Sequence, residues 1–111
     1  MEIKIKRLSD FPAKEVGGHQ GFLARSLINF PDKRVTVRLL EVAPGGVGPV
    51  PSHSHPDGHF FLVLDGTLEL EADGHLYIVP SACCIEVPPD CNHQLRCPGE
   101  AGMTVLAMKW N

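Results

Sequence analysis

The sequence predicts an all-β domain of the jelly-roll barrel class, and three observations predict it. Apolar and polar residues alternate along short stretches, which is the period of a half-buried strand. Turn residues recur roughly every 8–10 residues, with 11 Gly and 10 Pro spread along the chain rather than clustered. No stretch sustains a helical period over three turns; residues 13–27 come nearest, and Gly17, Gly18 and Gly21 interrupt them. At 111 residues and 43% apolar, the chain is sized for one domain with a real core. That domain spans 1–111, with N-terminal strands and a loop expected over 1–33 and the barrel over 34–111.

The elements follow in order. Ile3 to Leu8 alternates aliphatic and charged residues, which suits an edge strand, and Phe22 to Phe30 is the second candidate. Arg34 to Val42 places Val35, Val37 and Leu39 on one face and Arg34, Thr36 and Arg38 on the other. APGGVGPVP then reads as a loop. Three strands are expected at His59–Asp65, Gly66–Ala72 and Gly74–Pro80. Asp65-Gly66 and Asp73-Gly74 between them suit tight hairpins. Cys83–Val87, Gln94–Cys97 and Met103–Trp110 complete the series. That many short strands in so short a chain favour two rolled sheets, which protect most of their own edges.

Composition excludes several roles. The formal charge is −3 and no basic stripe appears, so neither nucleic acid nor an anionic membrane is an expected partner. No apolar run is long enough to span a bilayer as a helix. The opening MEIKIKRLSD lacks an apolar signal core, so a cytoplasmic location is expected. Cys83, Cys84, Cys91 and Cys97 match no zinc-ribbon spacing and read as small buried apolar residues. Cys91 stands apart because it lies two residues before His93. In HFFLVLD both faces are apolar, Phe61 and Val63 on one and Phe60, Leu62 and Leu64 on the other. A second subunit is the expected cover for the outer face, so the chain is expected to be a homodimer.

Four of the six histidines form a pattern that chemistry can use. His53 and His55 are two apart, so on extended backbone their rings point the same way. The turn sequence Pro56-Asp57-Gly58 follows, and His59 opens the next strand on the parity of Phe61 and Val63. His93 stands after Pro88-Pro89-Asp90, where a new strand should begin. Four imidazoles from two stretches predict a site for one divalent ion. Neutral ligands leave that ion its full charge, which favours an anionic or chelating ligand at its open positions. His75 reads as an exposed strand residue, and His19, in GGHQG, as a solvated loop residue.

On these residues the chain resembles the cupin family. Its first motif runs glycine, His-x-His, glutamate, glycine, and GPVPSHSHPDGHFFLVLDG follows it from Gly48 to Gly66. His53 and His55 match the motif histidines, His59 takes the glutamate position, and Gly66 closes the motif. The opening Gly48 is one residue out of place. In the second motif Pro88 and His93 match, while Asp90 stands for glycine and Cys97 for asparagine. The resemblance implies a double-stranded β-helix barrel. It also implies a metal held by His53, His55, His59 and His93, as in small single-domain cupins with four histidines. Mn²⁺ or Fe²⁺ is favoured, and Ni²⁺, Zn²⁺ and Cu²⁺ stay open.

The family hosts many reactions, so the activity has to come from the site. The leading expectation is a metal-dependent, dioxygenase-like oxygenase acting on a small chelating molecule. Phe61, Val63, Cys91, Met103 and Val105 are expected to line its pocket. Two alternatives stand beside it. One is a non-catalytic module that binds or senses a small ligand or anion. The other is a metal-dependent isomerase or lyase of a sugar or keto acid, for which Asp57, Asp65 and Cys91 are the only nearby candidate bases and none is placed by sequence.

Overall fold

The computed structural model describes residues 2–111. Nine strands form: β1 (Lys14–Glu15), β2 (Gln20–Phe30), β3 (Val35–His53), β4 (Gly58–Asp65), β5 (Thr67–Ala72), β6 (His75–Pro80), β7 (Cys84–Val87), β8 (His93–Arg96) and β9 (Met103–Trp110). Among the described residues the only helical element is the 3₁₀ turn Leu8–Asp10, and no helix is long and apolar enough to cross a membrane. The strands run in the order β6-β5-β8-β3-β9-β4-β7, with β2 also beside β3 and β1 beside β2, and every pairing is antiparallel.

The length of β3 makes the barrel. Its first half pairs with β2 and β9, and its second half turns away to pair with β8. One strand therefore serves both sheets, and the two walls roll around a shared core. Val63, Leu68, Leu70 and Val105 are all 0% exposed within that core. The segment APGGVGPVP, expected as a loop, is the middle of this strand. Proline cannot donate to a ladder. Here Val47 and Gly48 keep register with Arg96 and Leu95, and Gly45 and Gly46 exchange backbone bonds with Cys97.

Three other expectations are corrected. Ile3 to Leu8 is not a strand, and Ile3 and Ile5 are each 98% exposed. The edge of β2 is instead taken by β1, which pairs Lys14 with Ala24 and Glu15 with Leu23. Only Asp73-Gly74 closes a hairpin, with φ of 48° and 83° as a primed turn requires. Asp65-Gly66 carries the chain from one wall to the other, since β4 pairs with β7 and β9 while β5 pairs with β6 and β8. Gly66 has φ of 81°, and a Cβ there would lie 2.5 Å from the Gly102 carbonyl oxygen. Of the four cysteines only Cys97 is buried; Cys83 and Cys84 are exposed and Cys91 is intermediate.

Candidate metal centre

The four histidines arrive on two stretches of chain, 53–59 and 93, that the ladders bring to one end of the barrel. His53 ends β3 and His93 opens β8, and the two are Cα partners. His55 lies in the link to β4, and His59 is the second residue of β4. His59 points inward on the parity of Phe61, is 9% exposed, and stacks on the Phe61 ring at 5.5 Å.

Several bonds fix this placement. The Asp90 N–H donates to the His55 carbonyl at 2.8 Å, and the Asn92 side chain donates to Ser52 Oγ at 3.1 Å. The Gln94 side chain donates to the Pro49 carbonyl at 2.9 Å. Asp73 holds the loop before His93. It accepts from the Asn92 N–H at 3.1 Å and from the Cys91 thiol at 3.3 Å, and its own N–H bonds the Asn92 carbonyl at 3.0 Å. We expect Asp73→Ala to cost about 2–3 kcal/mol in urea unfolding, because it removes two bonds to a carboxylate and forces alanine to positive φ. Asp73→Asn, which keeps an acceptor and tolerates that backbone, should cost under about 1 kcal/mol.

The ring centroids are 4.9 Å apart for His53 and His55, 5.2 Å for His53 and His93, and 5.4 Å for His55 and His93. His59 lies 4.6 Å from His55 and 4.7 Å from His93. The ligand atoms of His53, His55 and His93 are all within 4.8 Å of one another. His59 joins them through His55, with the two Nε2 atoms 2.9 Å apart.

Two outer contacts set the tautomers. His93 Nδ1 is 2.9 Å from the Cys91 carbonyl, which can only accept, so Nδ1 carries the proton and the Nε2 lone pair is free. His55 Nδ1 faces Asp57 Oδ2 at 3.2 Å, within ion-pair reach but off the hydrogen-bond axis, so it counts as buried without a true partner. The carboxylate still favours the proton on Nδ1 and leaves Nε2 free. Two imidazole nitrogens 2.9 Å apart need a proton or a cation between their lone pairs. The donor set therefore fits a divalent metal.

Electrostatics favour the neutral, ligating form of His53, His55 and His59. Burial, then the neighbouring His93 and His55, push His59 from 6.5 to about 3. Burial, then His93, also lowers His53 and His55. Cys91 takes no part. Burial and then Asp73 raise its thiol, which stays protonated and donates to Asp73.

A cavity of about 210 Å³ opens beside the cluster. Phe61 lines it, as expected from sequence. Val63, Val105 and Met103 do not, because they are 0%, 0% and 3% exposed in the core further down the barrel, and Cys91 lies outside the lining. The cavity is instead walled by Phe22, Leu40, Ala107 and Met108 together with Thr36, Arg38, Asp57, Lys109 and His19. The Arg38 face of β3, polar in sequence, is thus the inward face. A broader groove of about 790 Å³ runs past Leu8, Leu23 and Leu39, but it contains none of the four clustered histidines. Chemistry rather than size identifies the site.

His19 is corrected from a solvated loop residue to a half-buried residue of the cavity wall. Its Nδ1 donates to the Gly17 carbonyl at 2.8 Å, which leaves Nε2 as a free acceptor, and burial lowers its pKa. The displaced motif glycine was the available signal: a Cβ on Gly48 would run into the His19 ring. His75 is exposed, as expected.

A family model described as a cupin domain matches residues 38–109. No curated protein matches the chain in sequence. Among solved structures, an RmlC-like cupin from Shewanella frigidimarina superposes with a TM-score of 0.80 at 18% identity, covering 98% of this chain and 91% of that one. The polyketide cyclase RemF from Streptomyces resistomycificus gives 0.84 at 25% identity, covering 98% and 80%. A predicted oxalate decarboxylase from Thermotoga maritima gives 0.84 at 15%, covering 96% and 98%. The first and third likenesses speak to the fold alone.

Proposed function

The chain belongs to the cupin domain family, and from that premise we propose that it is a metal-dependent enzyme of the oxygenase type, acting on a small chelating organic substrate. One observation carries the reading: the imidazoles of His53, His55 and His93 cluster beside a cavity of about 210 Å³, with His59 against His55. His53, His55, His59 and His93 would hold one ion, with Mn²⁺ or Fe²⁺ favoured. A bound ion would supply a Lewis acid of undiminished charge to a chelating substrate. The cavity is smaller than the roughly 300–1,000 Å³ of drug-sized sites, so the substrate is small. Phe22, Leu40, Phe61 and Ala107 would pack its carbon skeleton and exclude water. Asp57 is engaged by His55 and by Lys109 at 3.8 Å, which argues against a free carboxylate base and hence against hydrolysis.

A second reading has its own support. The free Nε2 of His19 on the cavity wall provides the proton acceptor that an isomerase, lyase or cyclase needs, and one similar structure is a polyketide cyclase. Oxygen-electrode traces with Mn²⁺- or Fe²⁺-loaded protein and a panel of small 1,3-dicarbonyls and 2-oxo acids separate the two. Oxygen uptake that needs both metal and substrate supports the first. Conversion without oxygen, lost in His19→Gln, supports the second. Tight binding without conversion would leave a sensing module.

We also propose that the protein is a homodimer. Ile28, Val37, Met108 and Phe60 are cross-strand neighbours in one row over β2, β3, β9 and β4, all on the outer face. Beside them Phe30 and Leu64 are 49% and 50% exposed. Sedimentation should give a dimer for the wild type and a folded monomer for Leu64→Glu; a monomeric wild type would sink the idea.

A further inference from the structure

The cavity beside the histidines carries a cation that nothing in the fold neutralises. Arg38 lies on the inward face of β3, between Thr36 and Leu40, and lines the cavity with them. It is half-buried, and burial pulls its guanidinium below the ordinary arginine value. Among the described residues no carboxylate forms an ion pair with Arg38, and no carbonyl or hydroxyl accepts a bond from it. The other two half-buried arginines each have a carboxylate partner, although Arg96 Nε itself makes no hydrogen bond. Arg25 meets Glu41 at 2.7 Å and the Phe11 carbonyl at 2.7 Å, and Arg96 meets Glu71 at 2.8 Å. Asp57 shares the cavity but is taken by His55 and Lys109, and Glu15 shares only the adjoining groove.

A partly desolvated guanidinium without a carboxylate partner is poorly compensated, so its place on a cavity wall suits an anionic ligand. Its planar fork of donors matches a carboxylate in two parallel bonds, and such charge-assisted bonds are strong away from bulk water. Lys109 is the weaker anchor, being 45% exposed and already 3.8 Å from Asp57.

We propose that the cavity takes a small carboxylic acid anion, with Arg38 as the anchor of its carboxylate and the histidine cluster beyond it. This rests on the metal-site reading above. It makes Arg38 a specificity residue: it distinguishes a charged substrate from its neutral ester.

Pyruvate and methyl pyruvate test this, since they differ in that charge. Both are titrated calorimetrically into Mn²⁺-loaded and metal-free protein. Wild type should prefer pyruvate by about 10- to 100-fold. Arg38→Gln should lose the preference, keep one Mn²⁺ per chain, and melt at or above the wild-type temperature; Arg38→Lys should keep part of the preference. Four results overturn the proposal: equal binding in wild type, an undiminished preference in Arg38→Gln, its loss in Lys109→Gln instead, or a large fall in melting temperature for Arg38→Gln. If wild type binds no Mn²⁺ but metal-free protein shows an Arg38-dependent preference, the metal reading fails and the anion site stands.

Discussion

A divalent ion added to the metal-free protein raises its melting temperature by about 10 °C or more, and the rise disappears in His55→Ala and His93→Ala. An ion present at 100 times its dissociation constant stabilises by about 2.7 kcal/mol if it binds only the folded state. For a domain of this size each kcal/mol moves the midpoint by about 4 °C. His93 is 4% exposed, so its alanine variant loses packing as well as a ligand. The relevant quantity is therefore the metal-induced shift within each variant. His55, in the link before β4, is the cleaner probe. His75→Ala removes an exposed histidine from β6 and should keep the full shift. Calorimetric scans with and without Mn²⁺ check this, and shifts of equal size in all four proteins would remove the metal centre.

Acid weakens the metal-free protein below pH 6.5 through His59. In the fold its pKa is lowered to about 3, while the unfolded chain protonates near 6.5. Between those values the unfolded state binds one proton more than the native state. Stability is therefore complete above pH 6.5 and falls as pH drops toward 3. One proton corresponds to about 1.4 kcal/mol per pH unit, so roughly 2 kcal/mol is lost by pH 5 from this residue alone. The lowered values of His53 and His55 act in the same direction. Urea midpoints between pH 7.5 and 5 should fall steadily in wild type and more gently in His59→Gln. A flat wild-type profile would mean that the ring accepts a proton in place.

The metal candidates were legible because their signal is local. His53 and His55 share a direction on any extended backbone, and the turn before His59 sets its parity with Phe61. Residues contributing to the cavity wall carried no such signal. Alternation divides Arg34–Val42 into two faces, and a polar face is ordinarily the solvent face. Near the mouth of a barrel the inward face meets a cavity rather than the core, so Thr36 and Arg38 point inward while Leu39 packs outside. Val63, Met103 and Val105 have inward parity too, but they lie further down the barrel where side chains fill the space. Parity gives direction across a sheet; depth along the barrel comes from the stagger of paired strands.

Residue order alone specifies an all-β domain, most of its strand positions, and the histidines able to share one ion. Those follow from period-two alternation, turn chemistry and spacing, all of which act over a few residues. Long-range packing is what carries β3 unbroken through a Pro- and Gly-rich stretch and turns His19 and Arg38 toward the cluster. Both depend on which backbone lies opposite: Arg96 and Leu95 across from Val47 and Gly48, and the bare Gly48 backbone against the His19 ring. Contacts between residues far apart in the chain are set by how the two walls roll together, and no local pattern encodes them.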